Sequence, residues 1–200
     1  MKILIATHNR GKFGEIMAVL RNLPIEFLSL RDLNITEDVE ETGKTHAENA
    51  ELKARFFAGK SGLPTLGEDS GIYVEAFPDE LGVETRRFRG LHNASDKEWI
   101  SYFMDQMKDV PDEKRNARFV TYSAFLDGAG DIHHFSGETR GQITHKLMAP
   151  VKEGIPLSSC FMPEGCDKVY SALTEEEKNK ISHRGKAIRQ FYDFLIPIRN

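Results

Sequence analysis

The sequence predicts an α/β domain built on a mixed sheet. Two observations carry that prediction. The chain opens as strand, turn, helix, strand, the start of an α/β fold. Its middle is hairpin-rich, with helices early and late, which argues against a purely parallel sheet. The length of 200 residues fits one domain. No repeat, low-complexity tract or linker divides it, so residues 1–200 are taken as a single unit.

Taken in order, residues 2–6 (Lys-Ile-Leu-Ile-Ala) read as a buried strand, followed by the polar turn Thr7-His8-Asn9-Arg10-Gly11. Phe13, Ile16, Met17 and Leu20 then fall on one face of a helix. Pro24 ends it, and residues 26–30 read as a second strand. Thr45-His46-Ala47-Glu48 has the spacing of a capping box, in which side chains satisfy the free N–H groups of a helix start. The helix it opens has Ala47, Ala50, Ala54, Phe57 and Ala58 on its apolar face, with Asn49 and Lys53 sharing another side. Residues 65–67 and 72–75 look like two short strands around an acidic turn, Glu68-Asp69-Ser70-Gly71. Trp99, Ile100, Phe103, Met104 and Met107 give a further amphipathic helix. Residues 117–126 form a strand that turns at 127–130 and returns over 132–135. Thr174 to Glu177 repeats the capping-box pattern, and Ile188, Phe191 and Leu195 mark a last helix.

Composition narrows the function classes. The chain carries 27 Lys and Arg against 31 Asp and Glu, a net charge of −4. That balance gives no general attraction to nucleic acid or to an anionic membrane. No apolar run approaches the ~20 residues that span a bilayer. Two cysteines, Cys160 and Cys166, suit neither a secreted disulfide scaffold nor a structural zinc site. The expectation is a soluble, cytoplasmic protein with reduced thiols.

Several familiar signatures fail. Gly43-Lys44-Thr45 lacks the earlier glycine of a phosphate loop. Gly128 and Gly130 lack a third glycine and a following helix, so the dinucleotide fingerprint is absent. There is no His-Glu-x-x-His, and adjacent His133 and His134 would face opposite sides of a strand.

Four segments do carry chemistry. Thr7 to Lys12 follows a strand and opens a helix, where free N–H groups and the helix dipole suit phosphate. Thr7 and Asn9 add neutral donors and Lys12 a cation. Glu40-Glu41-Thr42-Gly43 offers oxygen ligands for Mg²⁺, and Lys53 on the next helix a charge for a transferring phosphoryl group. Glu68-Asp69-Ser70-Gly71 places acids between apolar segments, a costly position unless they are paired or metal-bound. Finally, Lys178-Asn179-Lys180-Ile181-Ser182-His183-Arg184-Gly185 groups cations, an imidazole and a hydroxyl before a helix. Singly, each also reads as ordinary turn or surface chemistry.

Together the segments resemble the Ham1-like family, the inosine triphosphate pyrophosphatases or non-canonical purine XTP/dITP diphosphatases. The matching stretches are residues 6–12, 40–45, 48–50 with Lys53-Ala54, 68–71, Phe135-Ser136-Gly137-Glu138 with Gly141, and Glu177-Lys178-Asn179 with 182–185. They keep the family's order and span nearly the whole chain.

The resemblance implies an elongated mixed sheet flanked by helices, two lobes around a nucleotide cleft, and a homodimer. It implies Mg²⁺-dependent cleavage of ITP, dITP or XTP to the monophosphate and pyrophosphate. On that likeness Thr7, Asn9 and Lys12 bind the triphosphate, Lys53 neutralises charge, and Ser70 touches the substrate. Asp69 is the general base or water-orienting residue and a metal ligand. Glu40 is the second ligand, with Glu41 as the fallback. Lys178, His183 and Arg184 frame the purine, and Arg86 adds a cation near the cleft.

One departure stands out. The family's Gly-Phe-Gly-Tyr-Asp-Pro-like stretch is replaced here by Gly154-Ile155-Pro156-Leu157-Ser158-Ser159. Ile155 stands where an aromatic would stack on the base, and Ser158 where the acid would be. Base stacking is worth about 1–3 kcal/mol in nucleic-acid binders. A shifted base preference, or a nucleotide binder without turnover, are the alternatives that follow.

Overall fold

The computed structural model describes residues 1–197. Its six strands are β1 (Lys2–Ala6), β2 (Glu26–Ser29), β3 (Thr65–Val74), β4 (Asn116–Leu126), β5 (Ile132–Ile143) and β6 (Phe161–Pro163). The five α-helices are α1 (Arg10–Leu20), α2 (His46–Ser61), α3 (Asp96–Gln106), α4 (Glu175–Ile181) and α5 (His183–Leu195). The strands form one sheet in the order β2-β1-β3-β4-β5-β6. β1 pairs in parallel with β2 and β3, and every pairing from β3 onward is antiparallel. The predicted mixed sheet is therefore found, with its parallel part at the chain's start.

The capping boxes at Thr45/Glu48 and Thr174/Glu177 both form, and Ser95/Glu98 makes a third. Asn9 caps α1 by accepting from the Lys12 N–H.

The sequence reading differs from the structure at the sheet's centre. Residues 65–67 and 72–75 are one continuous strand, so Glu68-Asp69-Ser70 is not a turn. The physical reason is that β3 pairs with β4 along its full length, from Thr65 opposite Leu126 to Val74 opposite Ala117. The acids thus sit in the middle of a strand and are distributed to its two faces. β5 likewise runs on well beyond Phe135, and the short β6 and the 3₁₀ segment Gly82–Gly90 had no periodicity to announce them.

Helices cover the sheet on both sides. α2 packs on β3 and β4, and α5 on β4 and β5. Gly67 permits the first packing, since a Cβ there would lie 2.2 Å from the Ala50 carbonyl oxygen. Gly137 permits the second, since its Cβ would lie 2.1 Å from the His183 carbonyl oxygen. Two large apolar cores result. One gathers Phe88, Trp99, Phe103, Phe161 and Tyr170. The other joins Ile3, Ile5, Ile16, Phe125, Ile188 and Phe191. Among the described residues no helix is long and apolar enough to cross a membrane.

Candidate active site

A cleft of about 540 Å³ runs from Thr7 and Lys12 at one side to Trp99, Phe119 and Leu157, which belong to the first core, at the other. β3 runs through it. Alternation along the strand sends Asp69 to one face and Glu68 and Ser70 to the other. The two faces are served by different helices.

On the Asp69 face, α2 supplies the partners. His46 and Lys53 are seven residues apart, two helical turns, and so project from the same side. His46 Nδ1 lies 2.6 Å from Asp69 Oδ2. Lys53 Nζ lies 3.3 Å from Asp69 Oδ1 and 2.9 Å from Glu41 Oε1. Burial alone would raise the Asp69 carboxyl; the His46 hydrogen bond and the Lys53 and Lys12 charges outweigh it and bring it down to about 2. Burial likewise opposes the Lys53 charge, but Asp69 and Glu41 hold it protonated above the usual lysine range. The site thus stores an ionised carboxylate beside a charged ammonium where little water reaches either.

On the opposite face, α1 and α5 converge on Glu68. Arg184 donates to Glu68 Oε1 through Nε at 3.1 Å and Nη2 at 3.0 Å, and Nη2 also reaches Ser70 Oγ at 2.9 Å. Lys12 Nζ approaches Glu68 Oε2 at 3.0 Å. Burial works against the Glu68 charge, yet Arg184 and Lys12 hold its carboxyl far below the carboxylate range. Arg184 also pairs with Glu15, which in turn pairs with Lys178. Arg184, expected to frame the purine, lines the cleft, and its Nε, Nη1 and Nη2 are also bonded to Glu68, Glu15 and Ser70.

The remaining candidates are found as follows. Thr7 Oγ1 accepts from the Asn9 N–H at 3.1 Å, tightening the turn after β1. Asn9 Nδ2 donates to the Gly154 carbonyl at 2.8 Å, and the Gly154 N–H donates to Asp96 at 2.6 Å. The divergent loop is thereby tied to the phosphate turn on one side and to α3 on the other. Arg86 lies on the cleft rim, half-exposed, with Nη1 3.6 Å from Asp96. His183 is buried and stacks on Phe119, with ring centroids 4.6 Å apart. Burial, helped by Arg184 and Lys178, drives its pKa well below 6.5, so the ring is neutral at neutral pH. Lys178 lies behind the wall of the cleft, lining an adjoining depression of about 220 Å³, and donates to Ser158 Oγ at 3.2 Å.

Glu40 is a correction. It is exposed and does not line the cleft, whereas Glu41 does and contacts Lys53. Adjacent residues in this extended loop point apart, and it is the second acid that faces inward. Among the described residues no three His, Cys, Asp or Glu side chains form a complete metal cage. Two carboxylates, Glu41 and Asp69, converge on the Lys53 ammonium. Mg²⁺ is normally held by one or two carboxylates together with substrate phosphates and water. This donor set fits a metal ion that shares its shell with a polyphosphate.

His46 and Glu15 escaped the sequence reading. His46 was absorbed into a capping box, although its seven-residue separation from Lys53 was there to be read. Glu15 carried no motif at all, and only the fold brings it to Lys178 and Arg184.

Comparison with known proteins places the chain in a family. The Ham1 family model matches residues 3–194. A dITP/XTP pyrophosphatase of Geobacter sulfurreducens is 37% identical over 194 residues, covering 97% of this chain and 96% of that protein. One of Caldanaerobacter subterraneus is 35% identical over 198 residues, covering 98% and 96%. The structure of a HAM1 protein from Coxiella burnetii superimposes with a TM-score of 0.80 at 31% identity, covering 98% of both chains. The chain belongs to the Ham1 family.

Proposed function

We propose that this chain is a Mg²⁺-dependent nucleoside triphosphate pyrophosphatase. It hydrolyses the non-canonical purine nucleotides dITP, XTP and ITP to the monophosphate and pyrophosphate, and so cleans the nucleotide pool. The relatives' names support the reaction class. The observation that carries it is the ionised Asp69 carboxylate, buried against Lys53 and beside Glu41, in a cleft that also receives the phosphate turn.

The chemistry follows from these positions. Water attacks the α-phosphorus, and the bond from that phosphorus to the bridging oxygen breaks, releasing pyrophosphate. Asp69, already deprotonated, orients the water and takes its proton. Lys53 and Lys12 set positive charge against the phosphates, where negative charge develops on the leaving group. The turn from Thr7 to Lys12, at the start of α1, supplies backbone N–H groups for the phosphate tail. Mg²⁺ held by Glu41 and Asp69 would supply charge neutralisation at the phosphate oxygens.

The far end of the cleft, with Phe119, Ile155, Leu157 and His183, receives the base. A second reading applies to that end alone. Ile155 leaves the wall aliphatic, and Ser158 engages Lys178, so base preference shifts from the family's. We further propose a cytoplasmic homodimer, which sedimentation of the purified chain tests.

A panel of dITP, XTP, ITP, dATP and dGTP, with Mg²⁺ or with chelator, tests the activity. Pyrophosphate release from the first three, abolished by chelator, is expected. Folded protein that binds nucleotide without releasing pyrophosphate would make it a binder.

A further inference from the structure

We infer that His46 is a positioning residue for Asp69, an assignment that rests on the reaction proposed above. Its ring is 3% exposed and makes one polar contact, Nδ1 to Asp69 Oδ2 at 2.6 Å. A carboxylate oxygen accepts, so Nδ1 is the donor of this contact. The other nitrogen, Nε2, is buried without a hydrogen-bond partner among the described residues. A buried polar atom left unpaired costs free energy. A ring kept only to fill space would be better made of carbon.

The surroundings fix the ring. It lies over Tyr122 with centroids 6.2 Å apart and planes 12° from parallel, and meets the edge of Tyr73 at 6.1 Å and 88°. Tyr122 is the direct cross-strand neighbour of Asp69, and Tyr73 shares its face of β3. The capping box at Thr45 and Glu48 holds the helical turn that carries His46. Asp69 is consequently gripped at both oxygens by one helix, Oδ2 by His46 and Oδ1 by Lys53. Lys53 has Glu41 as well and must also serve the phosphates. Among the described residues His46 has no other polar partner, so it holds the carboxylate still while Lys53 responds to charge.

Three variants and one spectrum test this. Asparagine places an amide N–H where Nδ1 stands; glutamine places one nearer Nε2; phenylalanine fills the space with no donor. His46→Phe and His46→Gln should lower kcat by about 10- to 100-fold, as loss of an orienting partner does elsewhere, with KM little changed. His46→Asn should recover most of that loss despite being the smallest of the three. Space-filling alone would rank them the other way, and that order, or unchanged kcat in His46→Phe, overturns the assignment. Long-range ¹H–¹⁵N spectra of the unliganded chain should show a proton on Nδ1, and that proton should lose its downfield shift in Asp69→Asn. The opposite tautomer overturns the assignment without any assay. If the wild-type chain releases no pyrophosphate while the spectra come out as expected, the reaction is wrong and the grip on Asp69 stands.

Discussion

Replacing Asp69 by Asn separates the chemistry of the site from its stability, and both sides have a magnitude. The side chain is only 7% exposed, so solvent screening is slight. Its carboxyl falls from the reference 3.8 to about 2, against the opposing effect of burial, because His46, Lys53 and Lys12 favour the anion. At 1.36 kcal/mol per pKa unit this is about 2 kcal/mol of folding stability. A depressed carboxyl contributes fully above its unfolded value, near 4, and loses the contribution as pH falls through its folded value, near 2. Asp69→Asn should therefore be less stable than the wild type by about 2 kcal/mol at pH 7, with the gap closing toward pH 2. Urea unfolding of both proteins across that range measures it, and the difference between them isolates Asp69 from other carboxylates. In the same preparations kcat for dITP should drop about 10²- to 10⁴-fold, the usual worth of a positioned acid or base. Nucleotide binding should weaken much less. A stability gap that does not change with pH, or kcat and affinity lost in equal measure, would refute the reasoning.

Other expectations follow from the same geometry. Glu41→Gln should raise the Mg²⁺ concentration needed for half-maximal rate about tenfold or more, while Glu40→Gln leaves it unchanged; titration of rate against Mg²⁺ distinguishes the two acids. Glu68→Ala leaves buried Arg184 with Glu15 but without Glu68, and breaking a buried pair costs about 3–5 kcal/mol, so its thermal midpoint should fall by several degrees. Arg115 is buried and donates to the carbonyls of Met107, Val110, Ile143 and Thr144 at 2.7 to 3.0 Å. Arg115→Ala should cost about 2–4 kcal/mol through orphaned carbonyls and leave kcat per folded molecule intact, because these bonds lie away from the cleft. Ser158→Asp should alter the ratio of kcat/KM between XTP and ITP without changing the Mg²⁺ requirement, since Ser158 lines the cleft beside Leu157 and its hydroxyl meets Lys178.

Much of this fold was legible because its early elements announce themselves locally. The turn at Thr7 to Lys12, the capped start of α2 and the apolar stripes of α1 and α5 each follow from spacing within a few residues. The centre of the sheet was not legible for a related reason. Glu68-Asp69-Ser70-Gly71 has turn composition, and only the cross-strand pairing with β4 keeps it extended. Position along the chain also failed to separate Glu40 from Glu41, because which of two adjacent side chains faces inward depends on how the loop is laid against Lys53. Glu15 and Arg184 are 169 residues apart, and no local pattern joins them. Lys12, Lys53 and Asp69, named from sequence, meet at one cleft; His46, which braces Asp69, and Glu15, which pairs with Lys178, were not named.

The bracing explains how two acids next to each other take different roles. Glu68 and Asp69 share a strand, and Lys12 and Lys53 favour both anions, but Arg184 bonds Glu68 whereas His46 bonds Asp69. Glu68 is enclosed by Arg184, Lys12 and Thr121, with 1% of its side chain exposed, so it has no freedom to meet a substrate. Asp69 meets only His46 and Lys53 and borders the cleft. Exchanging the two residues would put the longer side chain against His46 and leave the shorter one facing Arg184. A strand's two-residue period thus sets one acid among Arg184, Lys12 and Thr121 and its neighbour at the cleft. The double exchange Glu68→Asp with Asp69→Glu keeps composition and net charge, so a loss of both stability and turnover would show that the period, rather than the pair of acids, sets the site. Retention of both would remove the basis for assigning Asp69 alone to the chemical step.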